Sequence, residues 1–272
     1  MTLPELLPVL AIHLYALGTV AIVTGILARR SWLKRAALWL TGAAFVAHTL
    51  LLGNTLMLHG ISALPRSAYT LLLAWCIALG GLLAWIRFHY ESLLLVVSPV
   101  TLIFFLVSLL LRHTSAPLPG SLSGMTLSIH IGALFISIGL MALAFGAGLI
   151  FLFQERTIKS KNKMTGFQKD FPALSVLDRI NSFTVTLGFP LFTIGILFGF
   201  ISARLSWGSI LTGDPKELVS LLVWILYAWL FRQRFSQGMQ GHRPAQMAIV
   251  VFVFCALSML VVNLTIPSHH NF

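Results

Sequence analysis

Trp207-Gly-Ser-Ile-Leu-Thr-Gly-Asp-Pro-Lys-Glu217 is a short polar interruption between two apolar runs. Its last four residues read as a helix start. Asp214 takes the N-cap, Pro215 the first helical position and Glu217 the third, a capping-box arrangement with Asp where Ser or Thr is commoner. Outward from it in both directions the chain turns apolar for long enough to cross a bilayer core, which needs about 20 helical residues. The interruption is therefore a loop between two spans, and the same alternation repeats along the whole chain. Eight apolar runs stand out, at 8–28, 36–58, 69–86, 92–111, 127–153, 182–203, 218–231 and 246–266. The runs are continuous rather than alternating, so they predict helices and not barrel strands.

Composition demands the same solvent. Of the 272 residues 58% are hydrophobic and 9% charged, with a mean hydropathy of +0.93. A soluble domain carries roughly 25% charged residues, so this chain cannot clothe a globule in hydrated surface. It reads as an all-α polytopic membrane protein, a single integral-membrane domain over 1–272. The net charge of +11 would suggest nucleic acid only if it clustered on a soluble face. Here it lies in short loops. Arg29, Arg30, Lys34, Arg35, Arg87, Arg156, Lys159, Lys161, Lys163, Lys169, Arg179, Arg232, Arg234 and Arg243 fall on one side, and only Arg66, Arg112, Arg204 and Lys216 on the other. Fourteen against four is a strong positive-inside bias. It predicts both termini outside, in a bacterial inner (plasma) membrane. The N-terminus lacks a basic n-region and a small-residue cleavage site, so the first run is expected to be a retained span. Cys76 and Cys255 lie far apart inside apolar runs and form no C-x-x-C. Two buried, inert thiols are expected, with no covalent haem attachment.

This topology puts Trp207–Glu217 on the outer face, together with His59, His113, His269 and His270, and sets His130 about one turn inside the fifth span. Two imidazoles from different helices can hold the axial positions of a haem iron. The porphyrin face suits a groove between spans, while its propionates need cations near water. Arg204 and Lys216, then Arg66 and Arg112, are candidates for that edge. A histidine at a span end can equally be a plain interface residue, and Trp207 could line a haem edge or simply mark the interface. His48 lies deep in the second span, where ionisable groups face the bundle interior. It could ligate a metal, relay a proton or hydrogen-bond a neighbouring helix. His13 is less informative, and His89 and His242 read as solvated loop residues. Pro99 and Pro190 fall inside spans, where kinks are expected. No carboxylate lies mid-membrane and no P-loop, G-x-S-x-G or H-E-x-x-H occurs. An ion-coupled transporter built on Asp or Glu, and the common hydrolase chemistries, therefore find no support.

From Ser128-Ile-His130 onward the chain resembles the cytochrome c assembly family, which has CcsA, CcmC and CcmF types and HemX-like and YpjD-like relatives. The pieces stand in order: Leu177-Asp178, Gly188-Phe-Pro-Leu-Phe-Thr-Ile-Gly195, Trp207-Gly208, Asp214-Pro-Lys-Glu217, Trp224-Ile-Leu-Tyr-Ala228 and Val262-Asn-Leu264. Weaker echoes precede them in His48-Thr-Leu50, His59-Gly60, Pro65, Tyr69 and Ala74-Trp75. The resemblance places a family core at 127–272, with the Trp-rich loop at 204–217. It implies non-covalent haem b, presented by that outer loop between two outer histidines. By motif position these are His130 and His270, with His269 adjacent, and the family's intramembrane histidine falls on His48. The loop departs from the W-G-x-Y-W-x-W-D-P-K-E pattern by keeping only Trp207, and Arg232 stands where the CcsA type has a further histidine. Both departures point toward the HemX-like and YpjD-like members.

The expected role is haem handling in cytochrome c biogenesis without catalysis of its own. Its implied partners are haem, membrane lipid, and apocytochrome c or another biogenesis membrane protein. The alternatives are a HemX-like regulator or interaction protein of tetrapyrrole synthesis without bound haem, acting through its cytoplasmic loops, and a transporter of some other solute.

Overall fold

The computed structural model describes residues 3–59, 64–111, 125–160, 171–209 and 215–265. Among these the chain is helical throughout, with eight helices long and apolar enough to cross a membrane. They are α1 (Leu3–Leu27), α2 (Ser31–His59), α3 (Arg66–Phe88), α4 (Leu94–Leu110, entered through a 3₁₀ turn at Glu91–Leu93), α5 (Met125–Lys159), α6 (Leu174–Trp207), α7 (Pro215–Phe235) and α8 (His242–Thr265). Each predicted run matches one helix, overrunning it by two residues at most, and most helices extend beyond their run into polar sequence. Helices run through Pro8, Pro99 and Pro190. Pro215 opens α7, where its fixed φ and missing N–H are harmless.

The exterior is apolar. Every helix exposes large hydrophobic side chains, from Trp39 (77% exposed) on α2 to Leu257 on α8. In water such a surface would aggregate; in a bilayer it is the solvated face. This is an integral membrane protein.

Helix α5 is the central strut. It packs against α3, α6 and α8, and small residues on its faces allow the close approach. A Cβ at Gly139 would lie 3.0 Å from the Cys76 carbonyl oxygen of α3, and one at Gly148 only 2.8 Å from the Ala245 carbonyl oxygen of α8. Without hydrophobic driving force in lipid, such backbone contacts and interhelical hydrogen bonds are what hold helices together.

Helices α5 and α6 are also laddered by side-chain donors. Asn181 Nδ2 donates to the Ala144 carbonyl (3.1 Å), Ser137 Oγ to the Gly188 carbonyl (2.7 Å), and His130 Nδ1 to the Gly195 carbonyl (2.6 Å). The rungs step by seven residues in opposite directions along the antiparallel pair, two helical turns apart, so they recur on one seam.

A polar junction closes the end of the bundle that carries the basic residues. Arg234, read from sequence as a loop cation, sits in the last turn of α7 with its side chain 1% exposed. It donates to Asp178 Oδ1 (2.7 Å), Asn181 Oδ1 (2.6 and 3.0 Å) and the Met239 carbonyl (3.1 Å), and Gly241 N–H also donates to Asp178 (2.9 Å). His242, read as a solvated loop residue, is exposed as expected; it opens α8 and meets the Glu155 carboxylate of α5 at 2.5 Å. His89 caps α3 in the left-handed region. Cys76 and Cys255 are free and buried, as expected.

Candidate functional site

The last rung of the α5–α6 ladder stands at the opposite end of the bundle, beside a cavity of about 300 Å³. Its walls come from α3, α5, α6, α7 and α8, and are mostly aliphatic and aromatic. Among them stand His130, Tyr69, Glu217, Ser220, Cys255 and Met259. An apolar cleft with a few convergent polar groups is the usual form of a small-molecule site.

His130 is held from two sides. A carbonyl can only accept, so the 2.6 Å contact with Gly195 makes Nδ1 the protonated nitrogen and Nε2 the basic one in neutral imidazole. Beside the ring lies Gly199: a Cβ there would come within 2.6 Å of Cε1 and 2.7 Å of Nδ1. One turn earlier a Cβ at Gly195 would strike Leu134 Cδ2 at 2.6 Å. Gly195 and Gly199 thus form a side-chain-free slot on α6 that receives His130 and Leu134 of α5. A histidine that donates Nδ1–H to a backbone carbonyl has the support that metal-ligating imidazoles usually carry.

Glu217 had been assigned only to the start of α7. It lines the same cleft and is just 9% exposed. A carboxylate three residues into a helix reads as a cap from sequence; only the rotation of α7 shows that it also borders the cavity. Ser220 and Val223, three and six residues on, share that face.

The other proposed site residues are placed differently. Arg204 is exposed, and its guanidinium folds back onto the Gly208 carbonyl; it is not among the residues lining the cleft. Gly208, at φ +73°, ends α6 by donating its N–H to the Arg204 carbonyl. His270, His269, Asp214, Arg112 and His113 lie outside the described residues, as do the side chains of Trp207, Lys216 and Arg66. His59 is exposed and bonded to the Thr55 carbonyl of its own helix.

His48 is fully buried in the other half of the bundle. Its Nε2–H donates to the Leu71 carbonyl of α3 (3.1 Å), and Nδ1 accepts from the Tyr15 hydroxyl of α1 (3.2 Å). Tyr15 and Phe105 meet the ring edge-on at 5.9 and 5.0 Å between centroids. Of the three roles open to it, the geometry supplies the link between neighbouring helices, since both nitrogens are committed to protein groups. Tyr15→Phe should lower stability by about 1–3 kcal/mol by stranding a buried acceptor. Thermal unfolding in detergent checks this, and an unshifted melt would show that the bond contributes nothing.

The ordered motifs of the second half meet across α6 and α7. Phe189 lies 5.9 Å from Trp224 and 4.8 Å from Phe231, Trp224 Nε1 donates to Thr193 Oγ1 (3.0 Å), and Tyr227 packs on Phe189 and Phe192. These aromatics build a wall; they do not point to a ligand.

Comparison with known proteins agrees with the resemblance. A sequence model of the family described as cytochrome C assembly protein matches residues 65–270. A cytochrome c biogenesis protein CcsA from Mesostigma viride is 29% identical over 226 residues, 74% of this chain and 73% of the relative. Another, from Guillardia theta, is 26% identical over 252 residues, 84% and 82% of the two chains. A third, from Gloeobacter violaceus, reaches 40% over 96 residues. Among solved structures, one described as cytochrome c heme lyase CcmF superposes with a TM-score of 0.68 at 16% identity, covering 93% of this chain and 46% of that one. The likeness shows the fold, and the chain spans about half the length of that structure.

Proposed function

Because this chain belongs to the cytochrome c assembly protein family, and so has its role in cytochrome c biogenesis, we propose that its cleft holds non-covalent haem with His130 as one axial ligand. The observation that carries this is the His130–Gly195 hydrogen bond at the edge of an apolar cavity. It leaves Nε2 as the basic nitrogen on a ring already oriented by its neighbours. The residues present suit the group: greasy walls for the porphyrin faces, an imidazole for the iron, and few polar atoms between. Haem held there would be a cargo or a fixed redox-active group serving an apocytochrome c or a partner membrane protein.

In this reading His270, or His269 beside it, supplies the second axial ligand. Trp207 lines the haem edge, and Lys216, with Arg204 once swung off the Gly208 carbonyl, neutralises the propionates. The cleft then faces the outer side of an inner (plasma) membrane and the Arg234 end the cytoplasm, a reading that the asymmetry of basic residues supports. His48 serves as a helix-to-helix link.

Absorption spectra of the detergent-purified protein, oxidised and reduced, test the reading. We expect a Soret band that disappears in His130→Ala/His270→Ala while the protein stays monodisperse. A colourless native preparation that takes up no added haem would overturn it and favour the haem-free regulator.

A further inference from the structure

A second cavity, of about 310 Å³, lies in the opposite half of the bundle toward the end rich in basic residues. It is a groove between the last turns of α1 (Val23, Ile26, Leu27), the start of α4 (Leu95, Val96) and the far part of α5, with Phe171 closing one side. All nine lining residues are apolar. It shares no residue with the His130 cleft.

Cations flank its polar end. Arg29 and Arg30 follow Leu27 after a single alanine, and Arg29 turns the chain at φ +55°. On the other wall Arg156 stands three residues beyond Phe153, on the same face of α5. All three are exposed, and among the described residues none has a carboxylate within ion-pair distance. The neighbouring carboxylate of Glu155 is engaged by Lys159 (2.8 Å) and His242 (2.5 Å). Apart from Glu155, the acidic residue near the three arginines among the described residues is Glu91, a turn before Leu95; Asp170, next to Phe171 in sequence, lies outside them.

The geometry points to a retained-lipid site: an anionic glycerophospholipid of the leaflet at the basic end, its acyl chain in the α1–α4–α5 groove and its phosphate among Arg29, Arg30 and Arg156. An apolar slot alone would accept any acyl chain. The arginines on both walls select the headgroup, since basic residues near a membrane surface attract anionic lipid and guanidinium pairs well with phosphate. Bound there, the lipid would join the first half of the bundle to α5. This inference is independent of haem.

The test uses the full chain in nanodiscs of equal phosphatidylcholine and phosphatidylglycerol, with retained lipid counted by native mass spectrometry after transfer to mild detergent. About one tightly held phosphatidylglycerol per chain is expected from a site of this size. Arg29→Gln/Arg30→Gln/Arg156→Gln should erase the headgroup preference, by about fivefold in affinity per arginine. Leu149→Trp, at a partly exposed lining position, should expel lipid of either headgroup. Val250→Trp, exposed on α8 and outside the groove, should not. Retention in the bulk lipid ratio, or retention unchanged by Leu149→Trp, would overturn the assignment.

Discussion

Asp178→Ala is expected to destabilise the protein by about 3–5 kcal/mol, the usual cost of stranding one member of a buried ion pair. Arg234 cannot escape to water: it enters from the end of α7 and is enclosed by α6 and the turn before α8. With the carboxylate gone, its guanidinium keeps only the Asn181 amide oxygen and the Met239 carbonyl. Gly241 N–H loses its acceptor in the same step. Loss of the charge rather than of packing should dominate. Asp178→Leu/Arg234→Met, which removes both charges, should therefore recover much of what the single change loses. Thermal unfolding of the three proteins in one detergent decides the matter. If the single variant melts within a degree or two of the native protein, or the double variant melts lower than the single, the junction is not the anchor described here.

Gly199→Ala tests the other end. The added methyl would meet the imidazole of His130 at 2.6–2.7 Å, whereas carbon atoms pack at about 3.5–4.0 Å. Either the ring swings out of its slot or α5 and α6 separate. Both outcomes break the bond to Gly195. Since the ring's orientation is what we hold responsible for ligation, haem affinity should fall about 10–100-fold, with a shifted Soret band. Fold stability should drop by only about 1–3 kcal/mol, as for other overpacked sites. Gly132→Ala is the matched control: it lies two residues from His130, and nothing stands within 4 Å of its added Cβ. Unaltered haem binding in Gly199→Ala would separate His130 from the iron. Loss in both variants would mean that the α5–α6 pair tolerates no change, whatever its ligand.

How far the chain could be read without coordinates follows from the range of the forces involved. The eight spans were legible because crossing a bilayer requires a contiguous apolar run, a property of neighbouring residues. Pro215 at the start of α7 was legible because proline restricts its own backbone. The thiols at 76 and 255 were rightly read as buried because each lies inside such a run. Arg234 was misjudged for the opposite reason. It stands at a helix end that looks solvated in one dimension, yet its partner, Asp178, is 56 residues away. His242 is exposed, as read, but its partner Glu155, 87 residues away, could not be foreseen.

The site divides along the same line. His130 could be chosen from its place in a span and its motif, and His48 could be placed in the interior by the cost of ionisable groups in lipid. Their different surroundings could not be foreseen, with one ring bordering a cavity and the other fully buried between α1 and α3.

By itself, then, the sequence determined the solvent, the number of spans, the start of α7 and the family, because hydropathy, backbone restriction and motif order are carried by adjacent residues. Only the tertiary structure decided that Gly195 and Gly199 face His130, that Glu217 turns into the cleft, and that Asp178 holds Arg234. Those depend on the register and rotation of helices brought together from distant parts of the chain, where a shift of one residue turns a side chain by about 100° around its axis.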